Sequence, residues 1–164
     1  MRNRSILIIG GGIGGLTSAI ALGRDGHSVT IVEKDPAWAV YGVGIIQQSN
    51  VIRAAKQLGI LDDYIAASFG FDGVEVFLPD GRCVAKIPSH RLVEGYPANV
   101  GIGRPALHAV LGRRAKAAGA QVHLGVTVDA LSDDGQGVDA RFSDGSSGHF
   151  DLVIGADGVH SRTR

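Results

Sequence analysis

A chain of 164 residues, 45% hydrophobic and 20% charged, is long enough to bury one domain core. Sixteen basic and sixteen acidic residues leave a formal net charge of zero, which gives no electrostatic reason to bind nucleic acid or an anionic membrane. One cysteine, Cys83, excludes an internal disulfide and a cysteine-based metal site, and the six histidines show no metal-ligand spacing, so no metal is expected.

The first element is the apolar run Ile6-Leu7-Ile8-Ile9, which reads as a buried parallel strand. It empties into Gly10-Gly11-Gly12-Ile13-Gly14-Gly15, where Gly10, Gly12 and Gly15 fall on the G-x-G-x-x-G spacing of a dinucleotide-binding turn. In such a turn the first glycine makes the bend, the second lets backbone approach a pyrophosphate, and the third lets helix and strand pack closely. Ile13, Leu16, Ala19, Ile20 and Gly23 recur at helical spacing, and Gly26 is placed to end that helix. The N-terminal amides of the helix, Ile13 and Gly14 among them, then point at the phosphates.

Residues 5–23 carry no charge and follow Arg2 and Arg4, a pattern that a hydropathy window also picks out as a signal peptide or membrane span. The glycines that interrupt the run stand where the turn requires them, and the reading as strand, turn and helix is preferred. No other stretch is long and apolar enough to span a bilayer. A soluble cytoplasmic protein is expected.

Val29-Thr30-Ile31-Val32 returns as a second strand, so Glu33 closes it at the C-terminal tip, followed by Lys34. An acid there can accept hydrogen bonds from both ribose hydroxyls, and a 2′-phosphate would meet a like charge, so the site suits the adenosine of FAD or NAD rather than NADP. Residues 40–44 form a glycine-punctuated loop, and residues 45–58 carry apolar positions that predict a second helix ending at Gly59. Val74, Val76 and Leu78 alternate with Glu75 and Phe77, and Pro79-Asp80-Gly81 turns the chain into Cys83-Val84-Ala85 as an antiparallel hairpin.

Arg104-Pro105 opens a third helix with Leu107, Val110, Leu111 and Ala115 on one face, ended by Gly119. Residues 121–124 give a third parallel strand. Residues 126–131, 138–142 and 148–150 read as a meander, with turns at Asp134-Gly135 and Asp144-Gly145, standing in for the usual crossover helix. Leu152-Val153-Ile154 is a last apolar strand that delivers Gly155-Ala156-Asp157-Gly158 to the sheet edge carrying the glycine turn, where ligands of open α/β sheets bind.

The segment Asp151-Leu152-Val153-Ile154-Gly155-Ala156-Asp157-Gly158-Val159-His160-Ser161-Arg162 resembles the Asp-Gly motif of the class A flavoprotein monooxygenases, the aromatic-hydroxylase family. The likeness runs the length of the chain. Residues 10–15 are similar to that family's FAD pyrophosphate turn, Glu33 to its adenosine-ribose acid, and Gly42-Val43-Gly44-Ile45 to its loop beside the flavin. Arg104, in Gly103-Arg104-Pro105-Ala106-Leu107-His108, is similar to the arginine that opens the helix near the FAD phosphates and ribityl chain.

The resemblance implies an α/β, Rossmann-like FAD-binding domain over residues 1–164, with a parallel sheet, a β-meander crossover and an inserted β-hairpin region at 68–100 that belongs toward the substrate side. It implies cofactor contacts from Gly10, Gly12, Ile13, Gly14, Gly15, Glu33, Lys34, Gly44, Ile45, Arg104, Asp157 and Gly158. In that family NAD(P)H reduces bound FAD, and the reduced flavin uses molecular oxygen to place one oxygen atom on an activated ring of a small aromatic substrate. The flavin carries the difficult chemistry, so no catalytic acid or base is nominated. Two departures stand out: Gln47-Gln48-Ser49-Asn50 replaces a more usual proline-containing run, and the chain ends at Arg164, ahead of the family's substrate-binding sheet and Gly-Asp motif. Relative to that family the chain is therefore expected to be incomplete. An NAD-dependent dehydrogenase, for which the glycine turn and Glu33 suffice, and a non-catalytic module that forms a homodimer remain the alternatives.

Overall fold

A continuous apolar run suits a strand buried on both faces, as in the middle of a parallel sheet, and in the computed structural model, which describes residues 3–163, residues 6–9 occupy that position. Strand β1 (Ser5–Ile9) lies between β2 (Ser28–Glu33) and β12 (Leu152–Gly155), all parallel, with β8 (Gln121–Leu124) beyond β2. Ile6, Leu7, Ile8 and Ile9 are at most 4% exposed, and burial of each such side chain contributes about 1.5 to 3 kcal/mol. Arg2, the first basic residue of the membrane-like pattern, and Arg164, the chain end, lie outside the described residues. The uncharged run at 5–23 divides into β1 and helix α1 (Ile13–Arg24). Among the described residues no helix is long and apolar enough to cross a membrane.

The register places Ile9 opposite both Val32 and Gly155, so the turns after β1, β2 and β12 leave the sheet at one edge. Between β8 and β12 the chain makes the antiparallel meander β9 (Val128–Asp133), β10 (Val138–Phe142) and β11 (Ser147–Phe150). Ala140, Phe142 and Phe150 of the meander pack on Leu7, Ile9 and Val32 of the parallel sheet. The two phenyl rings meet edge to face, with centroids 6.4 Å apart, a geometry their quadrupoles favour.

The chain divides into two compact units, residues 1–40 with 111–164, and residues 41–110. The parallel sheet, α1 and the meander belong to the first. In the second, an antiparallel sheet of β3 (Gly44–Gln48), β7 (Asn99–Gly103) and β4 (Phe69–Phe71) accompanies a hairpin of β5 (Gly73–Phe77) and β6 (Cys83–Pro88). Helices α2 (Ser49–Gln57) and α3 (Leu61–Ala66) bury Ile52, Ala55, Leu61 and Tyr64. The second unit thus holds the 68–100 region together with β3, α2, α3 and β7. At the base of the hairpin the Asp72 carboxylate accepts hydrogen bonds from Arg91 Nε at 2.9 Å and from the Ala98 amide at 2.8 Å.

The helix expected over residues 45–58 is corrected at its start. Residues 44–48 are a strand, because β7 supplies an antiparallel partner for β-branched Ile45 and Ile46, and the helix begins only at Ser49. Helix α4 (Arg104–Ala117) buries Leu107, Val110, Leu111 and Ala115, the four positions its periodicity marks, and the division between the units falls within it.

Candidate functional site

The glycine turn is built by three close approaches. Gly10 has φ of +108°, and a Cβ there would stand 2.4 Å from the Ala156 carbonyl oxygen. A Cβ on Gly15 would stand 1.9 Å from the Gly10 carbonyl oxygen. Backbone holds the same seam: the Gly10 amide donates to Val32 O and the Ala156 amide to Ile9 O, both at 2.8 Å. These contacts draw the turns after β1 and β12 together, at the point where the strand order reverses between β2 and β12 on either side of β1.

Gly12 is different. It is exposed, caps α1 with its own extended backbone (φ −80°, ψ −171°), and has no atom within 4 Å of where a Cβ would stand. No side chain caps the helix and no acid lies in its first turn. An uncapped N-terminus presents amides without intrahelical partners and the positive end of the helix dipole, which is the donor set a pyrophosphate takes. Half-buried Ile13 begins the helix. The carbonyl of Gly14 accepts the hydroxyls of Thr17 at 3.0 Å and Ser18 at 2.9 Å.

At the tip of β2 the Glu33 carboxylate reaches back to the turn. Its Oε2 accepts the Gly11 amide at 2.8 Å and its Oε1 the Asp35 amide at 2.9 Å. A groove of about 870 Å³ runs along this edge, lined by Gly10, Gly12, Glu33, Lys34, Asp157 and Gly158 among the residues expected from the sequence. Its far wall is residues 127–131, and His160 and Arg162 join it near the Asp-Gly turn. Sequence reasoning assigned 127–131 to the meander without giving it a site role. The signal was present in the strand order, because β8 lies beside β2 and the segment after it must leave the sheet at the ligand edge.

Asp157 does more for its own chain than a lone turn acid. Its Oδ2 accepts the Arg162 amide at 2.8 Å and the Thr163 hydroxyl at 3.0 Å, closing the turn that contains Gly158 at φ +84°. Burial alone would raise the Asp157 carboxyl, but hydrogen bonds from Ser161, Arg162 and Thr163 outweigh it and bring the pKa down to about 2.

Gly44, Ile45 and Arg104 are gathered in the second unit. Gly44 pairs with Gly103 across β3 and β7, and Ile45 with Ile102. The Arg104 stem passes Gly42, whose φ is +120° and whose Cβ would stand 3.1 Å from Arg104 Cδ.

A parallel sheet whose reversal point carries a glycine turn, an uncapped helix and an acid at the tip of the neighbouring strand has the arrangement of a dinucleotide-binding protein. The family described as "FAD binding domain" matches residues 3–164, and the chain belongs to it. That membership selects FAD where Glu33 left FAD and NAD open. The chain is 33% identical to the aurachin C monooxygenase/isomerase of Stigmatella aurantiaca, over 98% of this chain and 42% of the relative. It is also 33% identical to the 2-heptyl-3-hydroxy-4(1H)-quinolone synthase of Mycobacteroides abscessus, over 96% of this chain and 40% of the relative.

Among solved structures, a tetrameric form of 2-methyl-3-hydroxypyridine-5-carboxylic acid oxygenase superposes with a TM-score of 0.80 at 31% identity, covering 100% of this chain and 42% of the other. The flavin-dependent monooxygenase PieE, in complex with FAD and substrate, shares the fold with a TM-score of 0.80 at 24% identity, over 99% of this chain and 31% of the other. The resemblance to the class A flavoprotein monooxygenases agrees with these relatives. The chain spans less than half the length of the relatives it matches.

Proposed function

We propose that the protein is an NAD(P)H-dependent flavoprotein monooxygenase that places one oxygen atom of molecular oxygen on a small aromatic substrate, with this chain as its FAD-binding portion. The observation that carries the reading is the uncapped α1 N-terminus sharing one groove with Glu33 and the Asp157-Gly158 turn, in a chain of the FAD-binding family. When bound, FAD supplies electron transfer from the nicotinamide and activation of oxygen.

The chain's own residues then have distinct tasks. Gly12 leaves room for the pyrophosphate, and the Ile13, Gly14 and Gly15 amides at the start of α1 meet its charge. The Glu33 carboxylate would accept the ribose hydroxyls, with Lys34 and residues 127–131 lining the same groove on the adenosine side. Gly10, Asp157 and Gly158 shape the wall facing the pyrophosphate and ribityl chain. By the resemblance to the family's motifs, Gly44 and Ile45 would border the flavin and Arg104 would serve its phosphate and ribityl side. The 68–100 region faces the substrate, a role supported by the exposed apolar side chains of Val74, Val76, Phe77 and Ile87 on its hairpin. A cytoplasmic location is part of the same proposal.

Relatives named for a quinolone and a hydroxypyridine carboxylic acid support nitrogen heteroaromatics as the first substrate class to try. The test reconstitutes the protein with FAD and follows NADH and NADPH oxidation against hydroxylated quinolines, pyridines and phenols. The expected result is oxidation accelerated by one ring class, with isotope label from oxygen gas in the product. Bound flavin that neither nucleotide reduces in the presence of any ring class would sink the reading.

A further inference from the structure

Trp38 adjoins the glycine turn without lining the groove. This single tryptophan of the chain is also the one non-glycine residue with positive φ (+49°) among the described residues, a conformation that L-residues avoid unless their surroundings hold them there. The surroundings are specific. The Asp35 carboxylate brackets Trp38 by accepting the Ala37 and Ala39 amides, both at 2.9 Å. The Trp38 amide donates to Asp35 O at 3.1 Å.

The indole held this way reaches the glycine turn. Its Nε1–H donates to the Gly11 carbonyl at 2.9 Å. The ring lies against Gly112, where a Cβ would stand 3.4 Å from Cη2, and Lys116 Nζ is 5.2 Å from the ring centroid, a cation–π distance. Gly11 is thereby held at both ends, with its amide on the Glu33 carboxylate and its carbonyl on the indole. A Cβ on Gly11 would stand 2.6 Å from Trp38 Nε1 and 3.2 Å from Glu33 Cβ, so the residue at 11 and the residue at 38 compete for one space.

We infer that Trp38 is a positioning residue for the cofactor: by fixing the Gly11 peptide it holds the Glu33 carboxylate in the orientation that accepts the adenosine ribose. The inference rests on the reading that Glu33 is the ribose acid. Trp38 touches the turn at Gly11 and is not among the residues that line the groove, so its effect on FAD passes through Gly11.

FAD dissociation constants of the flavin-stripped protein, read by flavin fluorescence, test this alongside the thermal midpoint. Trp38→Phe keeps a ring and removes the donor, and FAD binding weakens by about 2- to 10-fold, the range of one neutral hydrogen bond. In a Glu33→Ala background the same substitution has almost no further effect, because the group it positions is gone. An equal factor in both backgrounds overturns the positioning role and leaves the ribose reading intact. A Glu33→Ala variant that binds FAD as tightly as the parent overturns both. Should Trp38→Phe fail to fold, Gly11→Ala provides a second route. That variant, whose Cβ would crowd the indole off the Gly11 carbonyl, binds FAD more weakly than the parent and adds almost no further loss in the Glu33→Ala background. A Gly11→Ala loss of equal factor in both backgrounds overturns the inference.

Discussion

Neighbouring glycines in one turn answer to opposite demands. Gly10 is required by folding: its φ of +108° and the Ala156 oxygen 2.4 Å from a Cβ exclude any side chain. Gly12 has backbone angles that valine adopts readily and open space where its side chain would go. Gly10→Val is therefore expected to cost about 3 kcal/mol or more of stability, from backbone strain and overpacking together. Gly12→Val is expected to leave the thermal midpoint within a few degrees and to abolish FAD retention after desalting. Equal loss of stability in the two variants would overturn this division of labour. Glu33→Ala is expected to weaken FAD binding by about 1.5 to 3 kcal/mol, the range for hydrogen bonds to a charged group, and isothermal titration of the stripped protein reads it directly.

Asp157 makes a pH-dependent contribution whose sign follows from its hydrogen bonds. Its folded pKa of about 2 lies below the ordinary carboxyl value of 3.8. The unfolded chain therefore takes up the proton first as pH falls. The stabilisation is complete well above the unfolded pKa and is lost progressively as pH falls toward the folded one. Thermal midpoints of the parent and Asp157→Asn are expected to differ most near neutrality and to converge steadily as pH falls from about 5 toward 3. A gap that stays constant over that interval means that the carboxylate charge contributes nothing to the turn.

At the scale of elements, the meander does two jobs. Its inner face, Ala140, Phe142 and Phe150, covers the parallel sheet, and β9 carries residues 128–131 of the groove wall. Phe142→Ala is expected to cost about 3 to 5 kcal/mol in denaturant unfolding, and to weaken FAD binding in the folded fraction because the wall loses its support. Unchanged FAD affinity would separate the wall from the core beneath it.

The same scale shows what the sequence could and could not disclose. The strands of the parallel sheet and the first helix were legible because each announces itself locally, by an apolar run or a helical repeat bounded by glycine. Strand β3 was not, because Ile45 and Ile46 satisfy a helical pattern as well as a strand pattern, and the choice is made by β7, more than fifty residues later in the chain. Strands β4 and β7 and the short helix α3 escaped for the same reason: three to six residues carry too little periodicity to decide by themselves. The turn between β1 and α1 and the place of Glu33 at the tip of β2 were legible from the glycine spacing read together with the apolar runs that flank it. The part of Trp38 was not, since its contact with Gly11 spans 27 residues and depends on an unusual backbone conformation.

At the scale of the whole molecule, the groove belongs to one compact unit, formed by residues 1–40 and 111–164, which residues 41–110 separate in the sequence. A ligand that binds the folded groove and not the unfolded chain stabilises that unit by mass action, by about 2.7 kcal/mol at a hundredfold excess over its dissociation constant. For a domain of this size that corresponds to a rise of roughly 5 to 10 °C in the thermal midpoint. The expected shift follows FAD concentration, and amide exchange slows most in the glycine turn, the tip of β2 and residues 155–158. NADP at the same concentrations is expected to give almost no shift, because its 2′-phosphate would be set beside the Glu33 carboxylate in a half-buried site where like charges repel strongly. In Glu33→Gln, which keeps the shape and removes the charge, that discrimination should narrow. A shift of equal size with FAD and NADP in the parent protein would mean that the ribose lies elsewhere, whatever holds the pyrophosphate.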